Sequence, residues 1–326
     1  PLFGYICDKK PRAWLMPLGC LVTAVTLPLA IFAPSYGIVL LLIGINGLGS
    51  ASFHPLGAKT ANLVTDYNRK GRSLSVFSMG GSLGAMAGSV YISALMKLGI
   101  GWHIWLYSLP SIVVALSMFR MIPDLPPYPP TKKRPDGKST LNDVFKFSIL
   151  AFFGMMLARA IITSGLSTFV PLYYVSYLKG DQLVAGFLLS FFQAAGVVGT
   201  FLGGILSDKY GSKRVMLVTM LPIAAFLYFF QMSDGVGLFI WLAFCGILLA
   251  ATNTSSLALI QKLLPDNLAM ASGINLGLSS GLSAIGIIVL GNLADIKGVE
   301  TVFIILALLP LWGFIMTLFI KEPKKV

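Results

Sequence analysis

The sequence predicts an all-α, polytopic membrane protein built as two helix bundles, and three observations carry that prediction. Charged residues make up 11% of the 326 positions and hydrophobic ones 56%, where a soluble domain carries about 25% charged residues. The apolar residues gather into ten runs, each near the roughly 20 residues a helix needs to cross about 30 Å of hydrocarbon. Short polar punctuation recurs 200 positions apart, on either side of one long polar break.

In chain order the runs lie at about 13–33, 38–62, 73–97, 103–122, 144–175, 183–206, 214–232, 237–260, 268–290 and 301–320. Several hold Gly or Pro, which membrane helices tolerate because neighbouring helices satisfy the freed backbone groups. The polar break, "PDLPPYPPTKKRPDGKSTLND" at 123–143, reads as a flexible connector between an N-terminal bundle at 1–122 and a C-terminal bundle at 144–326. The halves repeat as Gly4/Gly204, Asp8/Asp208, Gly37/Gly237 and Pro110/Pro310. Six runs follow the connector and four precede it, so the repeat predicts two further helices ahead of Pro1 and twelve in all. The chain also opens without Met and inside a repeated motif, which fits an N-terminally incomplete sequence.

A net charge of +12 would suit nucleic acid, but the basic residues lie in the breaks. Alternate breaks collect 19 of the 24, from Lys9, Lys10 and Arg12 to Lys321, Lys324 and Lys325. The opposite breaks hold Lys97, Lys179 and Lys297 alone, and Lys59 and Arg159 fall inside runs. That asymmetry is the positive-inside pattern. It places the connector and the C-terminus in the cytoplasm of a multi-pass plasma (inner) membrane protein, and it argues against a nucleic-acid partner. Cys7, Cys20 and Cys245 show no paired or zinc-type spacing. Neither a metalloprotease helix motif nor a P-loop is present, so the sequence predicts no enzyme activity, cofactor or metal.

The repeated punctuation is "GYICDKKPRAW" and "GGILSDKYGSKR" (203–214), with a weaker echo in "GNLADIKG" (291–298). The second resembles the signature loop between the second and third helices of each half in major facilitator transporters. That family is built of two six-helix halves repeated about an axis along the membrane normal. The resemblance implies a cytoplasmic latch formed by Gly4, Asp8 and Arg12 in one copy and Gly204, Asp208, Gly211 and Arg214 in the other. Pro11 replaces the Gly expected in the first copy. A narrower resemblance covers nearly the whole chain. "GSASFHPLGAKTA" (49–61), "GRSLSVFSMGGSLG" (71–84) and "QKLLPDNLAMASG" (261–273) together resemble the fosmidomycin-resistance subfamily. Leu56 after His54-Pro55 and Lys262 after Gln261 stand where that pattern carries acids.

Polar residues inside spans are costly unless they face a wet cavity or a partner. Arg159, Thr163 and Ser167 share one helix face at i, i+4 and i+8, as do Asn46, Ser50 and His54. Thr252, Asn253 and Ser256 mark the eighth run, and Asn275 and Ser279 the ninth. Counted from Phe147, Arg159 lies roughly 18 Å into a core of about 30 Å. No Asp or Glu occupies the interior of a run, so its guanidinium either clamps an anionic substrate or pairs with an acid on the helices ahead of Pro1. His54 either carries a proton through a cycle or is held neutral by a neighbouring helix. Lys59 reads as snorkelling to the membrane surface. Gly80, Gly84 and Gly88, and Gly273, Gly277 and Gly281, form stripes that let helix backbones touch.

The substrate-binding candidates are therefore Arg159, Thr163, Ser167, Asn46, Ser50, His54, Asn253 and Asn275. The expected function is monomeric secondary transport of a small molecule, with protons as coupling ion and a substrate leaving the cell. Uptake or exchange of an organic anion without proton coupling is the alternative, and a membrane sensor that binds without flux is a third reading.

Overall fold

The computed structural model describes residues 2–9, 12–66, 69–96, 102–121 and 143–322. The helices are α1 (Leu2–Lys9), α2 (Leu15–Ile31), α3 (Tyr36–Leu63), α4 (Lys70–Met96), α5 (Leu109–Met121), α6 (Asp143–Leu172), α7 (Gln182–Tyr210), α8 (Ser212–Gln231), α9 (Val236–Leu263), α10 (Leu268–Gly273), α11 (Ser279–Lys297) and α12 (Val299–Phe319). A 3₁₀ segment, Trp102–Ser108, leads into α5, and π turns at Tyr173–Tyr177 and Ile274–Leu278 follow α6 and join α10 to α11. No strand occurs among the described residues. All but the last residue of the expected connector, and the last four positions of the chain, lie outside them.

Over its described residues, each of the ten apolar runs is largely helical. Seven helices among the described residues are long and apolar enough to span a membrane, and Leu15–Ile31 and Trp105–Met121 are shorter apolar helices. The remaining run lies in α4, a helix of 27 residues.

The chain forms two compact units. The first comprises residues 1–64, 80–133 and 264–277, and the second residues 65–79, 134–263 and 278–326. Within the first, α2 and α3 approach through glycine: a Cβ on Gly49 would lie 2.8 Å from the Gly19 carbonyl. Ser52 Oγ donates to the Gly49 carbonyl at 2.8 Å. Cys7, Met16, Leu56 and Ala269 form a small buried apolar cluster.

Within the second unit, α7 and α9 meet over Gly199 and Gly203. A Cβ on Gly199 would collide with the Ile247 backbone, and one on Gly203 would sit 2.6 Å from Ala251 Cα. Small residues let helices close to this distance, where dispersion and buried hydrogen bonds replace the hydrophobic drive that lipid removes. Two hydroxyl pairs lie beside the seam, Ser207 with Ser255 and Thr219 with Thr252, each at 2.7 Å. By contrast, Cβ atoms on Gly80, Gly84, Gly88 and Gly281 meet nothing within 4 Å among the described residues. Among the described residues, these four glycines make no close backbone contact.

Two turns are set by glycine. Gly211, between α7 and α8, has φ +92°, and Gly298, between α11 and α12, has φ +90°. That left-handed region is costly for any residue bearing a Cβ. Gly211 follows Asp208 by three positions and Gly298 follows Asp295 by three. The weak third echo in the sequence thus makes the same turn as the full motif.

Candidate functional site

The repeated aspartates sit against helix N-termini. An α-helix starts with N–H groups that lack intrahelical acceptors, and an anion there satisfies them and meets the positive end of the helix dipole. Asp8 accepts from the Ala269 and Met270 N–H groups at 3.1 and 2.8 Å, at the start of α10. Asp208 accepts from the Gly71 and Arg72 N–H groups, both at 2.8 Å, at the start of α4. Each cap lies inside one compact unit, Asp8 in the first and Asp208 in the second.

The motif glycines make these approaches possible. A Cβ on Gly4 would strike the Ala269 carbonyl and lie 2.7 Å from Met270 Cα, and one on Gly204 would lie 2.5 Å from both the Gly71 carbonyl and Ser75 Cβ. Arg12 and Arg214 are exposed, and neither guanidinium has a hydrogen bond or ion pair among the described residues. So the structure gathers Gly4 with Asp8 and Gly204 with Asp208, and leaves the two arginines outside.

Lys59 departs from its sequence expectation. Its ammonium donates to Asp8 Oδ1 at 2.9 Å and to the Cys7 carbonyl at 3.2 Å. The side chains are 12% and 4% exposed, so Lys59 is a buried counter-ion rather than a snorkelling chain. Glu322 was not singled out by the sequence. It accepts from the Ser212 and Lys213 N–H groups at 3.0 and 2.9 Å and from Lys262 Nζ at 2.9 Å. Burial alone would raise its pKa, but the Lys213 and Ser212 N–H groups and Lys262 together hold it below the ordinary carboxylate value. The available signal was a lone acid just past the last apolar run, with Lys262 at the end of α9.

The intramembrane candidates divide between the units. Arg159, Thr163, Ser167 and Asn253 belong to the second, and Asn46, Ser50, His54 and Asn275 to the first. Arg159 is 6% exposed. Its Nε is buried with no hydrogen-bond partner, and no ion pair to it occurs among the described residues. Thr163 Oγ donates to the Arg159 carbonyl and Ser167 Oγ to the Thr163 carbonyl, both at 3.0 Å. These hydroxyls keep their lone pairs as acceptors while their protons bond the helix's own backbone.

Asn46 turns to packing. Its amide donates to the Thr23 carbonyl at 3.3 Å and to Thr26 Oγ at 3.1 Å, joining α3 to α2. His54 is exposed and makes an edge contact with Phe53. Ser50 and Asn253 are half-buried and Asn275 is buried. No cluster of His, Cys, Asp or Glu among the described residues could hold a metal ion.

Comparison with known proteins accords with this arrangement. The family model for the Major Facilitator Superfamily matches residues 1–195 and 150–326. The chain is 29% identical to the fosmidomycin resistance protein of Escherichia coli, over 99% of the chain and 80% of that protein. It is 28% identical to YfnC of Bacillus subtilis, an uncharacterized transporter of this superfamily, over 99% and 81%. Among solved structures, the E. coli fucose:proton symporter FucP superposes with a TM-score of 0.76 at 16% identity, covering 99% of this chain and 87% of FucP. The human organic anion transporter MFSD10 gives a TM-score of 0.73 at 15% identity, covering 97% and 79%. At such identities the two structures speak for the fold alone. With matches that together run from end to end, this multi-pass membrane chain belongs to the Major Facilitator Superfamily, whose members are transporters rather than enzymes.

Proposed function

We propose that the protein exports a small organic anion from the cytoplasm in exchange for protons, by alternating access across the plasma membrane. The observation that carries this reading is Arg159, a buried guanidinium whose Nε has no partner among the described residues. A planar fork of donors suits the oxygens of a phosphonate, phosphate or carboxylate. Thr163 and Ser167 lie on the same helix face and supply further acceptors for a substrate's own donors. The relative named for resistance to fosmidomycin, a phosphonate, supports the same substrate class and the outward direction. The charge asymmetry of the loops supports a cytoplasmic connector and C-terminus.

The test is export from cells lacking their own efflux pumps, using the gene in its full reading frame. Fosmidomycin export that collapses with the proton gradient and with Arg159→Ala supports the reading. No export by well-expressed wild type removes it for that compound.

Uptake or exchange of an organic anion without proton coupling is favoured by Leu56 and Lys262, which stand where the related pattern carries acids. In that case flux follows the anion gradient and ignores an imposed pH gradient.

A further inference from the structure

Asp8 is held from two directions, by partners from different parts of the chain. The Ala269 and Met270 N–H groups, at the start of α10, donate to its Oδ1 and Oδ2 at 3.1 and 2.8 Å. Lys59, near the end of α3, donates to the same Oδ1 at 2.9 Å and to the Cys7 carbonyl at 3.2 Å. One ammonium thus grips both the carboxylate and the backbone beside it. In chain order α1 and α3 come before the expected connector, and α10 comes after it.

The ammonium is an addition to the repeated motif. At the spacing of 200 the position matching Lys59 is Leu259, which is apolar and fully buried. The second copy makes its cap, Asp208 on the Gly71 and Arg72 N–H groups, without a lysine at this place.

What the ammonium contributes depends on what covers the pair. With α10 in place the side chains of Lys59 and Asp8 are 12% and 4% exposed. Gly4 approaches so closely that a Cβ there would strike the Ala269 carbonyl, and Ala269 shares a buried apolar cluster with Cys7, Met16 and Leu56. A buried ion pair that loses one member leaves an uncompensated charge, whereas an exposed pair contributes little. The start of α10 supplies donors but only a partial charge, so the full counter-charge comes from Lys59. Lys59 therefore stabilises the arrangement in which α10 covers Asp8 more than one in which water does.

We infer that Lys59 is a positioning residue of the transport cycle: it stays on Asp8 when α10 withdraws, keeps the carboxylate aimed and compensated, and so favours return to the closed cytoplasmic side. In this superfamily the two sequential halves rock against each other. The bonds from Asp8 to α10 join those halves and break when the cytoplasmic side opens, while the bonds to Lys59 lie within one half and persist. This follows from membership of the transporter family and holds whatever the substrate.

Two native thiols carry the test. Cys7 is 2% exposed and packs in the cluster with Ala269, so it becomes reachable when α10 moves away. Cys245, fully buried in α9, reports loss of the fold as a whole. The full chain in lipid vesicles is treated with N-ethylmaleimide, and both thiols are followed by peptide mass spectrometry. Lys59→Met should label Cys7 about fivefold faster or more, with Cys245 unchanged. Burial raises the Cys7 pKa and Lys59 opposes that rise, so losing the ammonium by itself makes the thiol less reactive, and faster labelling has to come from exposure. Lys59→Arg, which keeps a charged donor, should stay within about twofold of wild type. Exchanging the charges, Asp8→Lys with Lys59→Asp, keeps an ion pair but turns an ammonium toward the α10 N–H groups, and should label Cys7 as fast as Asp8→Asn does. Wild-type labelling in Lys59→Met or in the charge exchange, an arginine variant as reactive as the methionine one, or a parallel rise at Cys245 would each overturn the inference.

Discussion

The buried pair between Asp8 and Lys59 makes a sharp prediction because both side chains are almost fully removed from solvent, at 4% and 12% exposed. Asp8→Asn keeps one carbonyl oxygen, so one of the bonds from the Ala269 and Met270 N–H groups survives. The other is lost, and a hydrogen bond to a charged group contributes about 1.5–3 kcal/mol. The retained oxygen can stand where Asp8 Oδ1 does and still accept from Lys59, but the counter-charge is gone, and breaking a buried ion pair by removing one charge costs about 3–5 kcal/mol in comparable sites. The single variant should therefore be destabilised by about 4 kcal/mol, allowing for that remaining acceptor. Lys59→Met alone leaves Asp8 with its two N–H donors, which lowers the cost to about 1–2 kcal/mol. With both changes made, no charge is stranded, so the double variant should be more stable than Asp8→Asn alone. Unfolding of the four proteins in mixed micelles, followed against denaturing detergent, measures the cycle. Singles that add to the double within about 0.5 kcal/mol would show that the pair carries no coupling, and the reasoning would be wrong.

Two further outcomes follow from the same geometry. Glu322 has a lowered pKa, so its contribution is complete above the unfolded carboxylate value of about 4.3 and is lost as pH falls through the lower folded value. The stability gap between wild type and Glu322→Gln should thus be constant from neutral pH down to about pH 5 and close in more acid solution, read from thermal midpoints across pH. Gly199→Val puts a branched side chain into the Ile247 backbone. Overpacking costs about 1–3 kcal/mol in ordinary cores and more against an unyielding backbone, so little folded protein should be recovered by size-exclusion chromatography, whereas Gly84→Val, facing open space, should be recovered normally.

The fold was legible because lipid imposes a plain rule: long apolar runs become helices, and polar breaks mark their ends. The repeat at 200 positions pointed to both aspartate caps, since a motif written twice has to serve the same purpose twice. The capping partners were less visible. The N–H groups that Asp8 and Asp208 meet belong to Ala269, Met270, Gly71 and Arg72, and a backbone donor leaves no mark in side-chain chemistry. Lys59 was misread for a related reason. An isolated lysine near the end of an apolar run looks the same whether it reaches for water or for an acid 51 positions away. Glycine patterns were the least reliable guide. The even spacing of Gly80, Gly84 and Gly88 suggested a contact, yet the closest seam is formed by Gly199 and Gly203 against α9. A stripe shows that backbones can approach, while the facing helix decides whether they do.

Arg159 remains the residue whose role can be settled by opposing predictions. If it paired with an acid to hold the bundles together, replacing it with Met would break a buried ion pair and destabilise the protein by about 3–5 kcal/mol. If it is an unpaired clamp, the unliganded protein carries the cost of a buried donor with no acceptor, about 1–3 kcal/mol. Arg159→Met removes that donor and keeps most of the apolar stem. The variant should then unfold at a higher temperature than wild type while losing transport, with Arg159→Lys between them in activity because a point charge replaces a planar fork. Stability and activity moving in opposite directions is what a binding group held ready in the membrane predicts. A lowered midpoint for Arg159→Met would assign the guanidinium to structure, and the anion reading would lose its main support.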